Sequence, residues 1–183
     1  MEIFGTVGFA NASIRAVLRQ SGLAERYFYE SFASLEMLLV AVHEHVHTRV
    51  LAQVRVATEA AGADVEARAR AGLRAFIETV TQDPRWVRIK LQELGGNAGE
   101  EVQRFRRGAQ ETFAQLLLSY GPTDATLARD LQPHALARAV VSAVESLIDA
   151  WASGELRVSL DGLIDHAVVI INGTVNELER PSA

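Results

Sequence analysis

Five consecutive residues carry the most overt chemistry: His43-Glu44-His45-Val46-His47 satisfies the pattern H-E-x-x-H. On a helix, residues four apart share a face. His43 and His47 would then be two imidazole ligands for zinc, with Glu44 as general base toward a metal-bound water. A catalytic zinc takes three protein ligands, and no nearby motif supplies the third. His134 and His166 are distant in the chain. Three histidines within five residues also make the match easy to meet by chance. The expectation is no metal, no cofactor and no enzyme; a pH-sensitive or adventitious metal patch is the milder reading.

A different constellation spans Ser13 to Leu39. Ile14, Val17 and Leu18 fall at i, i+3, i+4 on a helix that Asn11 or Ser13 can cap. Gly22 supplies the turn, because a residue without Cβ takes a positive φ at little cost. A short helix, Leu23 to Glu30, follows, and Ser34 caps a long one from Leu35 to about Ala60. That is a helix-turn-helix, whose short second helix can enter a DNA major groove.

The elements that must position these residues are helical throughout, and no segment sustains strand alternation. Met1 to Val7 reads as the last turns of a truncated helix ending near Gly8. Ala61-Gly62-Ala63 separates the long helix from one over Asp64 to Gln82. Pro84 fits the first turn of a helix from Arg85 to Leu94, stopped at Gly95-Gly96. Further helices span about Gly99 to Tyr120, Pro133 to Ser153 and Leu160 to Glu179, with Gly121-Pro122 and Gly154 as breaks. The fold class is all-α, with about nine helices: a small N-terminal head, residues 1–47, and a larger body, residues 48–183.

The 183 residues are 49% hydrophobic, enough for a sizeable core, and no run approaches the roughly 20 apolar residues of a membrane span. There is no cysteine, and the N-terminus lacks the pattern of a signal peptide, so cytoplasmic residence is expected. The formal charge of −5 argues against easy binding to a polyanion. Residues 1–48 hold Arg15, Arg19 and Arg26 against Glu2, Glu25, Glu30, Glu36 and Glu44.

At Ser13, Ile14, Val17, Gly22, Leu23, Ala24, Phe28, Tyr29, Phe32, Glu36 and Leu39 the chain resembles the TetR family of bacterial transcriptional regulators. The close match covers about Gly8 to Val42; beyond it only helix count, helix lengths and the apolar final pair agree. The resemblance implies a ligand-responsive homodimer on a palindromic double-stranded operator, most simply a repressor released by a small-molecule effector. It makes residues 1–47 the DNA-binding domain and 48–183 the ligand-binding and dimerisation domain. By position it assigns Ala24, Glu25, Arg26, Tyr27 and Tyr29 to the groove side of the recognition helix, Arg26 as the base reader and Tyr29 as a phosphate contact. Ser13 with its helix amides, Arg15 and Arg19 would hold backbone phosphates. Phe28 and Phe32 would be core, with Ile14, Val17, Leu18 and Leu38. Two departures stand out: the family has a full first helix where this chain has a stub, and Leu35 occupies the place of a phosphate-binding lysine. The stub implies either a shortened chain start or a loosely supported head. With the acidic balance, these departures keep open a helical ligand-binding or interaction protein whose head no longer binds DNA.

In the body, Phe76, Trp86, Phe105, Phe113, Tyr120 and Trp151 read as core, some of them lining a ligand cavity. The candidate ligand contacts are Phe76, Trp86, Phe105, Phe113, Glu93 and Glu145, with Gln92, Asn97 and Asp149 as further polar groups. Glu145 lies at the edge of an apolar stripe, where it meets a cationic ligand or pairs with Arg138 or solvent. Ala135, Ala139, Ser142, Ala143 and Ser146 line the penultimate helix with small residues, and Val168-Val169-Ile170-Ile171 is apolar almost all round. Those two helices from each of two subunits would form a four-helix dimer interface; the plainer reading is a core pair in a monomer.

Overall fold

The computed structural model describes residues 1–89, 99–120 and 132–179, with side chains to residue 176. Among the described residues it contains nine α-helices, one 3-10 turn and no strand. The helices are α1 Glu2–Val7, α2 Ile14–Ser21, α3 Glu25–Ser31, α4 Leu35–Ala60 and α5 Val65–Thr81. After them come α6 Pro84–Val87, α7 Glu100–Tyr120, α8 Pro133–Ala152 and α9 Leu160–Glu179. Two compact units result, one of residues Met1–Val50 and Thr79–Arg107, the other of Leu51–Glu78 and Gly108–Ala183.

Local chemistry explains the helix ends. The Ser13 hydroxyl accepts from the Ala16 N–H at 3.2 Å, which decides the cap of α2 in its favour over Asn11. Asn11 lies in the 3-10 turn and donates to the Val7 carbonyl. Gly22 closes α2 at φ 69°, ψ 12°, the left-handed conformation that a Cβ opposes. The Ser34 hydroxyl accepts from Met37 N–H, and Asp64 does the same for Ala67 at 2.7 Å. Asp83 caps α6 with Pro84 in its first turn, as the sequence predicts. The expected continuation of that helix to Leu94, and the breaks at Gly95-Gly96 and Gly121-Pro122, lie outside the described residues.

In the first unit, α1 packs on α6 and α2. Phe4 is buried to 1% exposure, against Phe9 at 6.0 Å between ring centres. Gly5 lies against Arg85, whose guanidinium binds Glu2 and, at 2.6 Å, Asp83. Arg88 donates to the Thr6 carbonyl at 2.9 Å. A loosely supported stub is therefore not what forms; Arg85 and Arg88 hold α1 from outside the local sequence. The Arg85 guanidinium also holds the Asp83 carboxyl below its usual range. This contribution is fully present above the ordinary carboxylate range and is lost as the pH falls from there through the lowered value. Glu36 reaches from α4 to the start of α7 and accepts the Glu101 N–H at 3.2 Å, a carboxylate on the positive end of a helix.

In the second unit α8 and α9 pack along each other, with Gly154 at φ 82° in the connection and the Trp151 indole donating to the Val158 carbonyl at 3.0 Å. Leu163, Ile164, Ala167, Val168 and Ile171 form the buried side of α9. Of the apolar run Val168-Val169-Ile170-Ile171, Val168 and Ile171 are buried within the chain and Val169 is 71% exposed. On the rim between α5 and α9, Arg70 pairs with Asp165 at 2.5 Å and Arg74 with Asp161. These exposed pairs fix register more than they stabilise.

Candidate nucleic-acid interface and effector cavity

The short helix α3 is anchored by one aromatic side chain and exposes the rest. Phe28 is 5% exposed and meets Phe32 at 5.9 Å and Tyr29 edge-on at 5.4 Å between ring centres. Ala24, its N-cap in extended conformation, and Glu25, Arg26, Tyr27, Tyr29 and Glu30 are all exposed. The helix starts two residues later than the periodicity predicts, because the Leu23 N–H turns back to the Ser21 hydroxyl instead of entering the helix. Arg26 is ordered by its neighbour: Nη2 donates to the Tyr27 hydroxyl at 2.6 Å, and Cζ stands 4.6 Å from the ring centre. A guanidinium stacked on a tyrosine keeps most of its donors outward, and can still present its fork to guanine.

Arg15 and Arg19 are exposed on α2. The first intrahelical bond there runs from Val17 N–H to the Ser13 carbonyl, so the Ile14 and Arg15 amides precede the ladder at the positive end of the helix. Ser13, Arg15, Ala24, Glu25, Arg26, Tyr27 and Tyr29 are thus all accessible on the same compact unit. Leu35, in place of the family's lysine, opens α4 half-buried.

The acidic count of residues 1–48 changes once the unit is taken whole. Residues 1–50 and 79–107 carry 10 Lys and Arg against 9 Asp and Glu, a balance of +1; the remaining 8 and 14 give −6, which together make the −5 of the chain. Two of the head's carboxylates are also engaged, Glu2 with Arg85 and Glu36 with the α7 amide.

The H-E-x-x-H residues do not assemble as a hydrolase would need. His43 is 1% exposed and stacks on Phe105 at 5.8 Å, and His47 meets the same ring edge-on at 5.9 Å. Glu44 is exposed, on another side of α4. His134 pairs with Glu111 at 2.9 Å and His166 with the Gly162 carbonyl at 2.6 Å. Among the described residues no group of three His, Cys, Asp or Glu is arranged to hold a metal.

The second unit encloses a cavity of about 330 Å³. Phe76 and Phe113, in contact at 5.6 Å between ring centres, line it, and so does Glu145. Two of the expected contacts, Phe105 and Trp86, are not brought there. Phe105 is spent on the two histidines, Trp86 lies under the Arg49 guanidinium in the first unit, and Glu93 falls outside the described residues, as do Gln92 and Asn97. Asp149 is exposed. Tyr120, read as a body aromatic, lines it as well, and the polar lining that the sequence reading did not single out includes Thr58, Arg68 and Thr174. A polar residue on the apolar side of a helix was their only signal: Thr58 follows Val54 by one turn, and both are buried.

No protein-family model matches the sequence, and no curated protein matches it by sequence. Solved structures do match in fold. The fatty acid degradation regulator FadR from Bacillus halodurans superposes with a TM-score of 0.71 at 15% identity, over 94% of this chain and 90% of its own. A protein from Syntrophomonas wolfei assigned to the TetR family of transcriptional regulators gives 0.74 at 14% identity, over 96% and 90%. A TetR-family regulator from Streptomyces coelicolor gives 0.61 at 14%, over 97% and 90%. The chain has the all-α fold of these regulators.

Proposed function

We propose that this protein is a TetR-family transcriptional regulator: a cytoplasmic homodimer that binds an operator through α3 and is released from it by a small molecule in the cavity. One observation carries the reading. A seven-residue helix set on a Ser13-capped, Gly22-turned partner exposes Arg26, Tyr27 and Tyr29 while Phe28 anchors it. The net positive balance of that unit supports it. In this scheme residues 1–47 act as the DNA-binding domain and 48–183 as the effector and dimer domain. The effector acts by binding one of two populations more tightly, and its coupling to DNA is reciprocal.

Fluorescence anisotropy against the DNA upstream of its own gene, with scrambled DNA as control, tests the proposal. Selective binding is expected to weaken by about a hundredfold between 50 and 200 mM salt, for roughly four neutralised phosphates. Arg26→Ala should cost about 1–3 kcal/mol at the operator and leave scrambled DNA almost unaffected, as a base reader does. Equal loss on both DNAs would make Arg26 a phosphate contact instead. A second reading, a helical ligand-binding protein whose head does not read DNA, draws on the carboxylates Glu25 and Glu30 exposed on α3 itself. It predicts no selectivity in the same titration.

A further inference from the structure

The charged and polar groups of the cavity are not equivalent. Arg68 is committed: its Nε donates to the Gly62 carbonyl, and its Cζ stands 4.9 Å from the centre of the Tyr120 ring. The Tyr120 and Thr58 hydroxyls satisfy each other at 2.9 Å, and Thr58 also donates to the Val54 carbonyl. Glu145 differs. It sits in the middle of α8, adjoining buried Val144 and one turn from buried Ile148, and all three line the cavity. Its Oε2 accepts from the Gln110 amide at 2.7 Å, and among the described residues no cation pairs with it. The Arg138 partner that the sequence allows does not form. A neutral amide fills one of about four acceptor sites on a carboxylate and does nothing to balance its charge. A part-buried carboxylate without a cationic partner, beside apolar walls, offers a charge-assisted contact to a ligand cation.

We infer that the cavity binds an amphipathic organic cation, with an ammonium end against Glu145 and an apolar body against the paired rings of Phe76 and Phe113. This rests on the reading of the cavity as the effector site. Gln110 holds the carboxylate in place, so the pairing needs little reorganisation. An alcohol of the same length gains only the apolar contacts, and a carboxylic acid anion meets repulsion at Glu145, with the one cation of the lining among the described residues, Arg68, already stacked on Tyr120 and bonded to the Gly62 carbonyl.

Calorimetric titration of the full chain at pH 7 with n-octylammonium, 1-octanol and octanoate tests the inference. Octylammonium is expected to bind at least tenfold more tightly than either of the others. Glu145→Gln, which keeps shape and a hydrogen-bonding group, should remove that preference and leave 1-octanol binding unchanged, which also shows that the variant is folded. Ala69→Trp, which fills space at the cavity wall, should abolish octylammonium binding with helical circular dichroism retained. Undiminished binding in Ala69→Trp places the site elsewhere and overturns the inference. Equal affinity for all three probes, insensitive to Glu145→Gln, overturns the cation preference and leaves an apolar effector site. No binding by any probe overturns both. Octylammonium-selective binding that leaves DNA affinity unchanged upholds the cation site and overturns the effector reading.

Discussion

Ser142→Arg is expected to convert the protein from dimer to monomer at micromolar concentration and to weaken operator binding by at least a hundredfold. Ala135, Ala139, Ser142 and Ser146 are all exposed on α8, at spacings of three and four residues that place them on one side. On α9 the exposed positions include Val169 and Gly173. Small side chains on exposed helix faces allow close approach of a second pair of helices, and a large exposed valine gives that approach apolar area. A two-fold interface is self-complementary, so a single substitution puts two arginines into it, each a bulky and desolvated charge. Loss of the dimer severs two linked half-site contacts, and linkage of that kind is worth about 10²–10⁴ in affinity. Sedimentation velocity reads the mass and anisotropy reads the DNA affinity. An unchanged sedimentation coefficient in Ser142→Arg would remove this face from the interface, and a monomeric wild type would remove the dimer altogether.

Gly5→Ala is the smallest change with a large effect on the head. A Cβ at Gly5 would stand 2.3 Å from Arg85 Cβ, 2.8 Å from its Cγ and 2.9 Å from its Cα. The nearest atoms are main chain or one bond from it, so no rotamer change relieves the clash. Either α1 lifts from α6, exposing Phe4 and stretching the Arg85 pairing with Glu2, or α6 moves. Overpacking of this kind costs about 1–3 kcal/mol. In a chain of this size that corresponds to a fall in melting temperature of roughly 4–10 °C. Scanning calorimetry checks it. A melting temperature within a degree of wild type in Gly5→Ala would show that α1 is not held as described.

Much of this architecture is legible in the sequence because it is written in short-range chemistry. Ser13, Gly22, Ser34 and Pro84 each act within four residues of themselves, and the helices begin or end where they stand. The exposed side of α3 is legible for the same reason, since Phe28 alone must turn inward. The cavity is less so. Phe105 and Phe113 are eight residues apart on α7, equally aromatic and both read as body residues, yet one packs on His43 and His47 and the other on Phe76. Periodicity says that a residue is buried; it does not say in which of two cores. Trp86 is misassigned on the same ground. The support of α1 by Arg85 and Arg88 was invisible as well, because more than eighty residues separate Glu2 from Arg85 and no pattern links them.

If the protein is the regulator proposed above, the uneven charge of the two units bears on the path to DNA as well as on the bound state. A duplex attracts a unit at +1 only weakly, but repels one at −6. Under that reading, encounters through the acidic unit would be disfavoured and encounters through α3 favoured. Such a bias acts on the association rate and fades as salt shortens the Debye length from about 10 Å at 0.1 M. In that regulator an acidic second unit would serve an acidic target by exclusion, narrowing the orientations in which an encounter can occur without adding one contact to the complex.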